Sequence, residues 1–122
     1  MNAWSGLPTS SPVSGRWTSG SEMVVGLLQL DVHVPGAQSL KDKRSVVKRL
    51  KDQLRGRFNV AVAEVDANDT WQRATLGLST VGEDRAYVQG LLHQVTEWVR
   101  MTRLVELIRV DEEYLSAHEG DA

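Results

Sequence analysis

The 122-residue chain contains no cysteine. Disulfide staples, thiolate metal sites and thiol nucleophiles are therefore excluded. It has no apolar run near the roughly 20 residues that a membrane-spanning helix needs, so no membrane partner is expected. Its three histidines, His33, His93 and His118, stand far apart, at no helix or strand spacing that puts two on one metal. No glycine-rich phosphate loop occurs, and neither Ser45 nor Ser79 has a recognisable base. The run Asp66-Ala67-Asn68-Asp69 opens like a calcium loop, but its sixth position is Trp71 and not glycine, and its twelfth is Gly77 and not glutamate. Glu112-Glu113 reads as a solvated pair with no burial to turn it into an acid–base dyad. The expectation is a protein with no catalytic residues, no metal and no cofactor, and thus not an enzyme.

What the chain does have is an uneven charge. The net charge is −2, yet residues 41–57 hold eight Lys or Arg against two Asp, a local +6 that leaves −8 for the rest. The end from Glu106 to Ala122 carries six carboxylates against Arg109. Opposed patches within a near-neutral average point to an oriented encounter with a charged partner, or to head-to-tail self-association.

The basic patch lies on a helix. Leu40, Val47, Leu50, Leu54 and Phe58, with Val46 beside them, recur at helical spacing and predict a core face. Lys41, Arg44, Lys48, Lys51 and Arg55 follow at spacings of three, four, three and four, which places them in one stripe along a flank. Ser39 caps the start, and Asp42 is placed to complete a capping box. Gly56 predicts a left-handed cap that stops the helix near Arg55.

Around this helix the remaining pattern is strand-rich. Residues 1–22, dominated by Ser, Gly, Pro and Thr, read as a disordered tail without the apolar core of a signal peptide; Met23 opens the folded part. Val24 to Val34 alternates with period two and ends at Pro35-Gly36. Asn59–Val65 and Trp71–Val81 predict a hairpin, the stretch from Gly82-Glu83-Asp84 a second helix with an apolar stripe through Val88, Leu91, Leu92, Val95 and Val99, and Leu104–Asp111 a last strand that frays into an acidic end. The resulting order is βαββαβ. Right-handed crossovers turn that order into an α+β, ferredoxin-like fold over residues 23–115, a four-stranded antiparallel sheet with two helices on one face, followed by an acidic tail at 116–122. The other sheet face stays open and carries Gln29, Asp31, His33, Trp71, Arg73 and Thr75.

Four separated segments carry a family resemblance: Ser39 to Arg44 (SLKDKR), Arg57 to Val60 (RFNV), Val62 to Val65 (VAEV) and Trp71 to Arg73 (WQR). In this order they make residues 23–115 resemble the YlxP-like family of small bacterial proteins, a domain of unknown function. The resemblance implies a ferredoxin-like fold and a cytoplasmic bacterial protein, and it brings no catalytic residues to carry over. Genes of that family often lie among those for translation initiation and ribosome maturation factors.

Two functions follow as expectations. The first is contact with RNA or a ribosomal particle through Lys41, Arg44, Lys48, Lys51 and Arg55, by charge and shape and with no DNA sequence specificity. The same row also reads as a solvated face that keeps the protein soluble. The second is a homo-oligomeric scaffold that assembles through the open sheet face at Trp71, Arg73, Asp31 and His33.

Overall fold

The computed structural model describes residues 23–66, 70 and 72–116. Alternation of apolar and polar side chains makes Val24–His33 a strand, β1, whose burial alternates along its whole length. Leu28, Leu30 and Val32 are fully buried on one face, while Gln29, Asp31 and His33 stay half-exposed on the other. The strand ends at Pro35-Gly36, where Gly36 takes φ 83°, a left-handed backbone that a side chain resists. Helix α1 (Leu40–Arg57), strands β2 (Ala61–Asp66) and β3 (Arg73–Gly82), helix α2 (Arg85–Met101) and strand β4 (Glu106–Ser116) follow. The sheet order is β2-β3-β1-β4 and every pairing is antiparallel. The predicted ferredoxin-like α+β architecture is the one observed.

Both helices cover the Leu28–Leu30–Val32 face. From α1 come Val47, Leu50 and Leu54, from α2 Val88, Leu92, Val95 and Val99, and from β3 Ala74, Leu76 and Leu78, all buried in one core. At about 1.5–3 kcal/mol for each fully buried aliphatic side chain, this layer supplies the fold's main driving force. The guanidinium of Arg57 lies 5.2 Å from the Trp98 ring and joins the two helices at the layer's rim. Gly26 lets α2 come close to β1: a Cβ there would lie 2.5 Å from Val88 Cγ1 and 2.7 Å from Leu92 Cδ1.

Several boundaries differ from expectation, each for a local reason. Helix α1 runs through Gly56 to Arg57, because Phe58 turns extended and its N–H closes on Leu54 O; Gly56 is helical and makes no left-handed cap. The capping box is offset by one residue. Ser39 Oγ accepts from Asp42 N–H at 3.1 Å, but the Asp42 carboxylate accepts from Gln38 N–H. Helix α2 begins at Arg85 and not at Gly82, since Asp84 precedes it as the cap and accepts from Ala86 N–H. The acidic stretch after Asp111 is not frayed: β4 continues to Ser116, where it pairs with Val24 at the start of β1.

Candidate nucleic-acid interface

The outer flank of α1 holds the predicted basic row. Lys41, Arg44, Lys48 and Arg55 are exposed and Lys51 is half-buried beside the core face. Their environments divide the row. Lys48 Nζ meets Asp52 Oδ2 at 3.1 Å, one turn on, with its side chain still 77 % exposed, so the pair is weak and readily exchanged for another anion. Arg55 donates through Nη2 to Val62 O at 2.7 Å. It therefore holds α1 to β2 and caps a carbonyl of a strand at the sheet edge. Among the described residues, Lys41, Arg44 and Lys51 meet no carboxylate.

The row's flank gains a cation that the three-four spacing passed over. Arg49 is exposed and borders, with Ser45, Lys48, Asp52 and Gln53, a shallow depression on the outward face of α1. The open cationic surface thus lies toward the first three turns and includes Arg49, while Arg55 is engaged in holding the fold.

Lys43, two residues from Lys41, has the opposite fate. It is 4 % exposed, and its ammonium donates to Thr70 O at 2.9 Å and Arg73 O at 3.1 Å. Carbonyl oxygens of the β2–β3 connection thereby compensate a buried cation. Val34 N–H donates to Gln72 O at 2.8 Å from the other side. The SLKDKR and WQR segments, 30 residues apart at Lys43 and Arg73, are thus one structural unit. Spacing alone missed this because Lys43 falls on the core side of the helix, a place where a lysine needs carbonyl partners that no local pattern reveals.

On the open sheet face, Trp71 lies outside the described residues. The other three predicted interface residues are brought together. Asp31 stands opposite Thr75 and His33 opposite Arg73 across β1 and β3. Thr75 Oγ1 donates to Asp31 Oδ1 at 2.7 Å, and His33 Nδ1 lies 3.2 Å from Glu106 Oε2. Among the described residues no hydrogen bond joins these two pairs, and no cluster of three metal-ligating side chains forms. On β4, Tyr114 has its hydroxyl held above the ordinary tyrosine range, first by burial and then by the Glu112 carboxylate 3.4 Å away, against the opposing charge of Arg85.

No helix among the described residues is long and apolar enough to cross a membrane. Over 76 residues, 62% of this chain and 83% of the relative, the sequence is 32% identical to "Uncharacterized protein YlxP" of Bacillus subtilis (strain 168). A structural match to the de novo designed protein Foldit4 covers 77% of this chain and 94% of that one, at 13% identity and a TM-score of 0.45. The model of a family of proteins of unknown function, DUF503, matches residues 25–112. The match spans the strands and helices described above, from β1 into β4, and the chain belongs to the DUF503 family.

Proposed function

We propose that this protein binds the phosphate backbone of RNA, free or within a ribosomal particle, through the outward flank of α1. The observation that carries the reading is the run of cations left open there: Lys41, Arg44, Lys48 and Arg49 are exposed, with Lys51 behind them and Asp42 and Asp52 interleaved. Lys41 also sits in the first turn, where the helix dipole disfavours a cation. A stability-driven sequence has no reason to place it there, whereas a polyanion partner supplies one. A rigid helix carrying fixed charges reads the spacing of phosphates and not base identity, so the binding is shape-dependent and sequence-tolerant.

The test is a salt titration of binding to a structured RNA. With about four phosphates neutralised, affinity falls roughly 50- to 150-fold between 50 and 200 mM salt. The double substitution Arg44→Glu with Lys48→Glu abolishes binding at low salt while the thermal melt stays near that of the parent protein. Absence of binding at 50 mM salt, or equal binding by the double variant, refutes the proposal.

A further inference from the structure

The sheet face opposite the helices has no covering layer among the described residues, and it is not uniformly polar. At the end where β1 begins, Val25, Leu27, Val81 and Leu115 lie side by side through the ladder pairings Val25↔Val81, Val25↔Leu115 and Leu27↔Ser79. Val81 is 54 % exposed and Leu115 41 %. On β2, Val65 is 46 % exposed and packs over the bare backbone of Gly77. The opposite end of the same face is charged, with Arg73 on β3, Asp66 on β2, and Asp31 and Arg109 on β1 and β4, and along β4 the face also carries Asp111, 3.0 Å from Arg109, and Glu113 beside Leu27. Between the two ends, the Gln29 carboxamide oxygen is buried with no hydrogen-bond partner among the described residues.

We infer that this face binds a second copy of the chain, sheet against sheet, about a two-fold axis running parallel to the strands between β1 and β3. Such an axis lays β3 over the partner's β1 and β2 over the partner's β4, with each end over its like end. The residue pairs that result are self-complementary. Val81 comes over Val25 of the partner subunit, and Asp66 over Arg109 of the partner subunit. Arg73, which meets no carboxylate among the described residues, comes over the Asp31 and His33–Glu106 region of the partner subunit. The two Gln29 residues flank the axis; turned outward, each carboxamide donates its N–H to the other's oxygen. One charged end facing its like is normally repulsive, but here the sign alternates across the strands, so the inverted copy meets opposite charge.

Area favours the same occupant. A four-stranded face about 19 Å wide and 30 Å long covers close to 600 Å² in projection, so two stacked faces bury about 1,200 Å², the lower end of what a specific interface needs. Aligned sheets stack in this way throughout β-sandwiches. The pairing is independent of the RNA reading, because α1 lies on the other side of the sheet; it leaves the two basic helices on opposite outer surfaces of the dimer.

Sedimentation equilibrium of the full chain tests the inference. The parent protein sediments as a dimer at micromolar concentration. Val81→Asp, a change at an exposed position, weakens dimerisation at least tenfold without moving the thermal melt of the monomer. Met101→Asp, at the 80 % exposed end of α2, leaves dimerisation unchanged. Asp66→Arg weakens the dimer by setting a cation against Arg109 of the partner subunit. A monomer at all concentrations, including one whose residues 1–22 cover the face, overturns the inference. So does a dimer that Val81→Asp and Asp66→Arg both leave intact.

Discussion

Lys41 and Lys43 sit two residues apart in the same helix turn, and replacing each by methionine separates the charge proposed to bind RNA from the charge that builds the fold. Methionine keeps the length and much of the volume of the lysine stem. Lys43→Met removes two charge-assisted hydrogen bonds, to Thr70 O and Arg73 O, each worth about 1.5–3 kcal/mol, while relieving part of the cost of burying an ammonium. The net loss is about 2–4 kcal/mol. In a domain of this size each kcal/mol shifts the melting temperature by about 4–8 °C, so a fall of roughly 10–25 °C is expected. Lys41→Met changes an exposed side chain and stays within about 0.5 kcal/mol. Circular-dichroism melts of both variants, paired with RNA titrations at 50 mM salt, give a crossed pattern. Lys43→Met is unstable but, while folded, binds like the parent, and Lys41→Met is stable but binds more weakly. A Lys43→Met protein that melts within about 2 °C of the parent refutes the clamp.

Three further outcomes follow from the packing. Gly26→Ala drives a methyl into Val88 and Leu92 and lowers stability by about 1–3 kcal/mol, read as a reduced urea midpoint. Arg55→Ala frees the Val62 carbonyl at the sheet edge, costing about 1 kcal/mol in urea unfolding, and reduces RNA affinity less than Arg44→Ala does. Tyr114 ionises above its ordinary range in the folded state, so its contribution to stability is full below the unfolded value near 10 and is lost as pH rises through the folded value. Alkaline unfolding therefore loses part of its steepness in Tyr114→Phe, and ultraviolet titration of the parent finds one tyrosine ionising late.

The fold was legible because its core signals are periodic. Leu28, Leu30 and Val32 alternate, and Val47, Leu50 and Leu54 recur at helical spacing; each pattern names its element without tertiary information. The ends of elements were less legible, since they depend on partners distant in sequence. Phe58, packed against the core, carries α1 past Gly56, and β1 holds residues 112–116 in β4 although local composition reads as a frayed tail. The basic row was visible as a row, but its division was not. Asp52 and Val62 decide what Lys48 and Arg55 do; the Lys48–Asp52 pair lies at the i,i+4 spacing of one helix, but the Val62 carbonyl belongs to another element and no charge pattern of α1 reveals it. Arg49 lies beyond the three-four stripe, on the outward side, where the spacing of the row does not reach it.

The pairing of Val24 with Ser116 governs the order in which this domain is completed during synthesis. The earliest strand is interior to the sheet, and its partner on one side is the last of the four strands to be synthesised. Until then β1 keeps a long row of amides and carbonyls unpaired, a template for any passing strand. Closing that gap means joining segments from opposite ends of the domain, the type of long-range contact that slows folding. Nascent chains stalled before Glu106 should accordingly be the forms most dependent on a holding chaperone, whereas release of eleven more residues seals the exposed flank in a single step.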